Sequence, residues 1–406
     1  MIKHCSACGF DSLVDFFNLG FIPVCDDFRL DEHESLNLRR VPLSTLLCRN
    51  CFHFELNHKE DCRDLYSNYL YRSSHSSDLD SHFTNYVNYL KSLFPAGLSS
   101  LSAPVLDVGC NDGILLRKIG EIFGATELYG VDPSPACLEV GNNIRVFQDF
   151  FSSDLIRREN FAQKFELIVS NNTFANIEDI TTFFSCLKNC LSKDGFLIIE
   201  TGYGPLTLIN EVWDMVNHEH YHYFSLKSLE ALAYRNNMRL VDASIVETKG
   251  GSIRAVFCNF NSKANVRMSE FGSLATLERL MFRFPNVIIE RINYRLQALR
   301  ADAQALLRSH SDLALIGASA GGTILVHLLG FDKTKVILLD DNASRHGRYL
   351  PGTSIRVRPF DDVVNFENLV IINLAWRFSE DILERHPKLR ECESLLLGNT
   401  LAQAFV

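Results

Sequence analysis

The chain has 406 residues, a net charge of −9 and a mean hydropathy of +0.01, which is enough length for two or three hydrophobic cores in a folded globular protein. The acidic balance argues against a nucleic-acid partner, and the sequence shows neither a signal peptide nor an apolar run near the roughly 20 residues that span a bilayer. We therefore expect a soluble, cytoplasmic protein with no membrane partner, and a monomer is the expected oligomeric state.

The first part of the chain contains two cysteine pairs with the same spacing. The four residues are Cys5, Cys8, Cys48 and Cys51. Disulfides are typical of exported proteins, and because the sequence has no export signal, we expect reduced thiols. Four thiolates at this spacing suit a closed tetrahedral zinc site. Reduced core cysteines without a metal are the alternative. The matched spacing favours a small structural zinc module over residues 1–65, where the core alone is too small to hold a fold.

Short apolar runs separated by helical periodicity follow from residue 105 onwards. They occupy residues 105–108, 128–131, 165–169 and 196–199. Uninterrupted apolar runs of this length are typical of strands that are buried on both faces of a sheet, so the pattern predicts an α/β domain over 66–265. A long amphipathic stretch, interrupted at Pro285, then leads into a second α/β unit, and this C-terminal domain is predicted over 266–406.

A glycine turn joins the first of these strands to a helix. Residues 107–113 read Asp-Val-Gly-Cys-Asn-Asp-Gly, and the two glycines let the backbone approach a ligand closely. Asp132 ends the next strand about twenty residues later, where an acidic side chain can bind ribose hydroxyls. Asp149 and Phe150 are placed to contact adenine through its exocyclic amine and its face. A dehydrogenase is the alternative, although the turn lacks the usual Gly-x-Gly-x-x-Gly spacing.

Further motifs occur in a recognisable order along the chain. They are Asn-His-Glu-His-Tyr-His-Tyr-Phe-Ser at 217–225, Gly-Gly-Ser-Ile-Arg at 250–254, Gly-Ala-Ser-Ala-Gly-Gly-Thr at 317–323 and Gly-Arg-Tyr-Leu-Pro-Gly-Thr at 347–353. With the cysteine pairs and the glycine turn, they resemble the sugar C-methyltransferases, including those that act at C-3′ of TDP-4-keto-deoxysugars. The resemblance covers almost the whole chain. It implies an S-adenosylmethionine enzyme whose central and C-terminal domains are both Rossmann-like, with the C-terminal domain closing the sugar-nucleotide site.

The resemblance also implies the residues of each site. Cofactor binding is assigned to Asp107, Gly109, Asn111, Gly113, Asp132, Pro133, Asp149, Phe150 and Asn171. Substrate binding is assigned to Tyr71, Asn176, Asn217, Tyr223 and Arg254, although Arg254 could equally form a structural ion pair. Methylation on carbon requires a base that removes a proton beside a carbonyl group, and Glu219 and His220 are the candidates. The resemblance identifies His220 as the base, with Glu219 orienting it or binding sugar hydroxyls.

Two positions depart from the family pattern. Asn217 stands where the family often has Tyr, and Asn176 stands where it often has His, so groups expected near the sugar are missing. The expected reaction is C-methylation at C-3′ of a nucleotide-linked 4-keto-6-deoxyhexose that carries TDP or GDP. A sugar O-methyltransferase and a sugar-nucleotide-binding protein with weakened turnover are the alternatives.

The glycine-rich turn at 317–323 lies between a predicted strand and a predicted helix. Backbone N–H groups at such a helix start can bind a diphosphate, so the turn is a candidate anion site. The resemblance implies that this second Rossmann-like unit binds no cofactor of its own.

Overall fold

A computed structural model of the protein describes residues 2–61, 77–93, 104–124, 127–263, 271–310, 313–331, 336–363, 369–391 and 393–394. These residues form three β-sheets. The strands are β1 (Leu13–Pro23), β2 (Arg40–Cys48), β3 (Phe54–Leu56), β4 (Val105–Val108), β5 (Leu128–Val131), β6 (Ile144–Phe147), β7 (Phe165–Asn171), β8 (Leu191–Gly202), β9 (His222–Tyr223), β10 (Met238–Val246), β11 (Ser252–Asn259), β12 (Leu313–Ile316), β13 (Ile337–Leu339), β14 (Val357–Arg358), β15 (Val370–Asn373) and β16 (Glu393–Ser394).

The helices lie against and between these sheets. They are α1 (Glu32–Leu36), α2 (Ser77–Leu93), α3 (Ile114–Phe123), α4 (Ser153–Arg158), α5 (Ile180–Cys190), α6 (Gly204–Ile209), α7 (Leu226–Arg235), α8 (Phe271–Met281), α9 (Pro285–Ser309), α10 (Ala320–Leu329) and α11 (Ser379–Arg385). Within the described ranges, no helix combines the length and the apolar character that crossing a membrane requires.

The N-terminal sheet has the order β1-β2-β3-β9 and is antiparallel throughout. Its last strand comes from the His-Glu-His motif: Phe54 pairs with Tyr223, and Glu55 pairs with His222. The module predicted over 1–65 therefore completes its sheet with residues from the central part of the chain, which fixes the motif to the module.

The central sheet has the order β10-β11-β8-β7-β4-β5-β6, with β4 to β8 parallel and the last two strands antiparallel. Every residue of β4 and β5 is buried, as the apolar runs predict for strands covered on both faces. Because parallel strands end at the same edge, Asp107, Asp132 and Asn171 meet at the carboxyl edge of the sheet, where α/β proteins bind ligands.

The C-terminal sheet is wholly parallel, with the order β14-β13-β12-β15-β16. Helix α9 begins with Pro285 at its first turn and buries Ile292, Leu296, Leu299 and Ala303 at the three- and four-residue spacing of one helix face. These side chains belong to one hydrophobic cluster with residues of the N-terminal and C-terminal sheets. The predicted α/β fold, with a module, a central domain and a second parallel sheet, is confirmed.

Candidate active site

The four paired cysteines meet in one buried cluster. Cys5 Sγ lies 3.6 Å from Cys51 Sγ, and Cys8 Sγ lies 3.6 Å from Cys48 Sγ. All four sulfur atoms lie within 4.8 Å of one another. Positive φ angles at Gly9 (81°) and at Phe52 (63°), each just after a cysteine pair, turn the chain back towards the sulfurs. Four soft donors without an open position fit a structural zinc ion.

A group of three possible ligands lies beside the cysteines and joins β3 to β9. His53 Nε2 is 3.0 Å from His222 Nδ1, and Glu55 lies 3.8 Å from the same nitrogen. Lys59 Nζ already lies 3.1 Å from the Glu55 carboxylate, so this charge has a cationic partner. Burial lowers the pKa of His53 to about 4, which keeps the imidazole neutral. The group is a hydrogen-bonded link between the module and the motif.

A cavity of about 370 Å³ opens at the carboxyl edge of the central sheet. Except for Gly113, the residues that the sequence assigns to the cofactor all line it. They are Asp107, Gly109, Asn111, Asp132, Pro133, Asp149, Phe150 and Asn171. Gly113 instead starts α3 with φ 73°, and a Cβ there would lie 2.7 Å from Val140, so its role is close packing of the helix start.

Asp132 is oriented by two backbone bonds. Its Oδ2 accepts the Asn111 N–H at 2.9 Å, and its Oδ1 accepts the Ser134 N–H at 2.8 Å. The carboxylate is thus held beside the glycine turn, where Gly109 passes so close to Thr173 that a Cβ would lie 1.8 Å from the hydroxyl oxygen. This geometry suits recognition of a ribose.

Several polar atoms that face this cavity are buried and have no hydrogen-bond partner among the described residues. They are Asp107 Oδ1, Ser134 Oγ, Asn176 Oδ1 and both amide atoms of Asn171. Burial, together with the charge of Asp132, raises the pKa of Asp107 to about 8. Buried groups of this kind normally have a ligand or water as partner. A cofactor with an ammonium group, hydroxyls and a nucleobase fits this set.

A second, small cavity of about 20 Å³ contains the proposed base. His220, Tyr223, Thr201 and Asn172 are among its lining residues. Asn172 also lines the cofactor cavity, so the two cavities adjoin. Thr201 Oγ1 is buried and has no partner in the described part of the chain. The cavity thus places an imidazole and a hydroxyl next to the cofactor cavity.

The surroundings of His220 define which nitrogen carries the proton. Its Nδ1 lies 3.1 Å from the Met215 carbonyl oxygen and 3.4 Å from the Asn217 amide nitrogen. A carbonyl can only accept, so the closer contact favours the tautomer with the proton on Nδ1 and Nε2 as the accepting nitrogen, whereas the Asn217 contact favours the opposite one. Tyr223 Oη donates to the same carbonyl at 3.3 Å, while Asn217 Oδ1 accepts the N–H groups of Glu219 and His220.

The remaining candidates are placed less directly. Glu219 is buried and does not line the small cavity that contains His220, and the Asn217 side chain accepts the N–H groups of Glu219 and His220. Arg254 forms an ion pair with buried Glu200 at 2.7 Å and lies over Tyr86 with its guanidinium carbon 4.1 Å from the ring centroid. Arg254 thus forms the structural ion pair that the sequence analysis gave as the alternative to substrate binding. Tyr71 lies outside the described residues.

The second glycine turn lies against two carboxylates of the chain. Asp340 Oδ2 accepts the Ala318 N–H at 2.7 Å. A Cβ on Gly321, in the first turn of α10, would lie 2.8 Å from the carboxylate of Asp214. A carboxylate of the chain therefore lies beside the helix start where the sequence predicted a diphosphate, and the anion site at this turn stays a prediction.

Thr201, Asn172, Asp214 and Met215 are site residues that the sequence analysis missed. Thr201 and Asn172 stand at the ends of β8 and β7, and position at the carboxyl edge of a parallel sheet is the signal that could have found them. Met215 contributes only a backbone carbonyl, which no residue pattern reveals.

Three protein families match consecutive parts of the chain. A zinc binding domain matches residues 5–66, a methyltransferase domain matches 83–243, and a C-methyltransferase C-terminal domain matches 247–397. The four clustered cysteines lie in the first match. The cofactor cavity and the His220 motif lie in the second.

Relatives are found along the whole chain and within its centre. The C-methyltransferase NovU of Streptomyces niveus is 25% identical over 412 residues, covering 96% of this chain and 93% of its own. The malonyl-[acyl-carrier protein] O-methyltransferase of Bacillus anthracis is 24% identical over 129 residues, 29% of this chain and 48% of its own.

Among solved structures, magnesium protoporphyrin IX methyltransferase from Synechocystis with bound SAH is 14% identical, with a TM-score of 0.35 over 44% of this chain and 83% of its own. The order of the three matched domains and the end-to-end similarity to a C-methyltransferase agree with the cysteine cluster and the cavity at the sheet edge. The chain is an S-adenosylmethionine-dependent methyltransferase with an N-terminal zinc module, and it is similar to a C-methyltransferase along its whole length.

Proposed function

We propose that this enzyme methylates C-3′ of a nucleotide-linked 4-keto-6-deoxyhexose, with TDP or GDP as the nucleotide. The observation that carries the proposal is the position of His220, which lines a cavity that shares Asn172 with the cofactor cavity and whose Nδ1 lies 3.1 Å from the Met215 carbonyl oxygen. A neutral imidazole at this place suits removal of a proton from a carbon acid. The end-to-end similarity to NovU supports transfer to carbon.

In the proposed reaction, His220 Nε2 takes the C-3 proton of the sugar, and the electron pair moves onto the C-4 oxygen as an enolate. We assign the hydrogen bond to this oxygen to Thr201 Oγ1, which is buried in the same cavity without another partner among the described residues. The cavity measures about 20 Å³, so it would have to widen to admit the sugar. The bound cofactor supplies an electrophilic methyl group on a sulfonium. C-3 then forms the new bond to that carbon as its bond to sulfur breaks.

A third cavity supports a position for the rest of the substrate. It measures about 730 Å³, and Gly251 lines both this cavity and the catalytic one. Arg295 and Asn210 supply polar groups to it, and Trp376 adds an aromatic surface from the C-terminal unit. A sugar at His220 would therefore extend its nucleotide towards the C-terminal unit, which closes the site.

Asn176 supports a sugar contact despite its departure from the family pattern. It lines the cofactor cavity, and its buried Oδ1 has no partner in the part of the chain that the structure describes. The position therefore keeps a hydrogen-bonding group where the family often has His, and we assign it to the substrate.

Product analysis with a panel of TDP- and GDP-linked 4-keto-6-deoxyhexoses tests this function. We expect NMR to locate a new methyl group on C-3 of the sugar. A methyl group found on oxygen would establish the O-methyltransferase alternative. Tight binding of the sugar nucleotides without product would instead establish a binding protein with weakened turnover.

Proton exchange tests the carbon-acid step separately. With S-adenosylhomocysteine bound and D₂O as solvent, the C-3 hydrogen should exchange in the wild type and not in His220→Asn. If the abstracted proton is shielded from solvent, no exchange will be seen, and a substrate deuterated at C-3 then provides the test. Deuterium is removed more slowly than hydrogen, so turnover should be slower with this substrate. Near wild-type methylation by His220→Asn would place the base elsewhere, with Glu219 as the next residue to test.

A further inference from the structure

We propose that Asp214 is a positioning residue through which the C-terminal unit holds His220 in its proton-accepting form. The inference rests on the proposed role of His220 and adds a residue that lies outside the cavities. Asp214 lies in the helical turn Trp213–Met215 and contacts the C-terminal unit. The carbonyl of the next residue, Met215, contacts His220 Nδ1.

Asp214 is docked on the start of helix α10. The side chain is 3% exposed, and its Oδ2 accepts the indole N–H of Trp376 at 3.3 Å. A Cβ on Gly321 would lie 2.8 Å from the same oxygen, so only glycine leaves room for the carboxylate at this point. The positive end of a helix dipole favours a carboxylate here. Contacts from two elements of the C-terminal unit therefore fix Asp214.

Met215 connects the docked Asp214 to the ring of His220. Its carbonyl oxygen lies 3.1 Å from His220 Nδ1 and also accepts the Tyr223 hydroxyl at 3.3 Å. Adjacent residues in a helical turn move together, so a shift of Asp214 displaces this carbonyl. Loss of the acceptor at Nδ1 would let the proton move to Nε2, and a protonated Nε2 cannot accept the substrate proton.

The first test compares variants that release Asp214 by different routes. Asp214→Asn removes the charge, and Gly321→Ala inserts a methyl group against the carboxylate while keeping a good helix former in α10. For both we expect kcat to fall about tenfold to a hundredfold, in line with small displacements of catalytic groups. Cofactor affinity measured by calorimetry should stay unchanged, because the cofactor cavity lies on the other side of Asn172.

The second test reads the tautomer directly. The ¹⁵N chemical shifts of the His220 ring should indicate an Nδ1 proton in the wild type and an increased Nε2-protonated fraction in both variants. Trp376→Phe, which removes only the indole donor, should give a smaller change in the same direction. Asp340→Asn is the matched control, because Asp340 binds the neighbouring turn at Ala318 and should leave both kcat and tautomer unaltered.

The outcomes separate this inference from the proposed function. Unchanged tautomer and kcat in Asp214→Asn and Gly321→Ala, together with loss of turnover in His220→Asn, would overturn the role of Asp214 and leave the base assignment intact. Turnover that survives in His220→Asn would overturn the base assignment, and the ¹⁵N measurement would still decide whether Asp214 controls the proton position.

Discussion

The two glycine turns of this protein share a backbone design. After β4, Gly109 has φ 84°, and after β12, Gly317 has φ 103°. In each turn a backbone N–H then bonds to an aspartate that follows the next strand, Asp132 at 2.9 Å in the central domain and Asp340 at 2.7 Å in the C-terminal unit. The backbone pattern of a nucleotide-binding turn is therefore present twice.

The space in front of the two turns differs. The first turn opens onto the 370 Å³ cavity, where polar atoms such as Asp107 Oδ1 have no hydrogen-bond partner among the residues that the structure describes. At the second turn, the carboxylate of Asp214 lies against the helix start, where a Cβ on Gly321 would be 2.8 Å from its Oδ2. A glycine turn with its aspartate thus provides the frame of a cofactor site, while the neighbouring side chains decide whether a ligand can enter.

Removal of zinc should disturb both the second glycine turn and the central domain, and it is the largest expected effect. Thr323 Oγ1, in the second turn, donates to the Cys25 carbonyl of the N-terminal module at 3.2 Å, and the module pairs with the His-Glu-His motif through β9. Structural zinc supplies about 10–16 kcal/mol in small domains, so Cys48→Ser should lose about one zinc per chain and the cooperative fold of the module.

Elemental analysis and circular dichroism measure these losses. Cys258→Ser is the control, because this buried cysteine lies outside the cluster on β11 and should leave the zinc content unchanged. A metal-free protein with normal fold and activity would contradict the structural role of zinc.

Equivalent aspartate substitutions in the two glycine turns should have different effects on cofactor affinity. Asp132→Ala removes a carboxylate from the open cavity, and we expect cofactor binding to weaken by about 1.5–3 kcal/mol, the range for a hydrogen bond to a charged group. Asp340→Ala should leave cofactor affinity unchanged. Isothermal calorimetry measures both values, and equal losses in the two variants would show that the turns are not functionally distinct.

Filling the second turn should cost stability without affecting the cofactor. Gly317→Ala combines a left-handed φ with the 2.5 Å approach to Ala375, and we expect the free energy of unfolding to fall by about 2–5 kcal/mol. Gly124→Ala, with φ 69° and no atom within 4 Å of the added Cβ, isolates the backbone contribution and should cost about 1–2 kcal/mol. A smaller loss for Gly317→Ala than for Gly124→Ala would argue against close packing at the second turn.

The smallest expected effect is a proton released on cofactor binding. Burial raises the pKa of Asp107 from 3.8 to about 8 in the cofactor-free protein. Because the folded state then holds a proton that the unfolded state loses, the Asp107 contribution to stability is present below the lower value and declines as pH rises towards 8. An ammonium group beside Asp107 favours its ionised form, so binding near neutral pH should release up to about one proton.

Calorimetry in buffers with different ionisation enthalpies counts this proton. Asp107→Asn should abolish the release and flatten the pH dependence of unfolding between the two pKa values. Asp340→Asn again serves as the control at the second turn. Proton release that persists in Asp107→Asn would assign the titration to another group.

The sequence predicted those features that depend on local pattern. The apolar runs located the central strands, the cysteine spacing located the buried cysteine cluster, and the turn with Asp132 marked the sheet edge at which the 370 Å³ cavity opens. Contacts between distant segments were not predictable in this way. The pairing of Arg254 with Glu200 and the docking of Asp214 on α10 depend on tertiary packing, which neither periodicity nor motif spacing encodes.

The pairing of β3 with β9 also has a consequence for how the chain folds. Phe54 and Tyr223 are neighbours in the N-terminal sheet, yet most of the central domain lies between them in sequence. Because a chain is synthesised from its N-terminus, the module must wait for its fourth strand until residues 222 and 223 have emerged from the ribosome. Contacts of such high sequence separation form slowly. Early metal capture by the cysteines would hold the three earlier strands together during this interval.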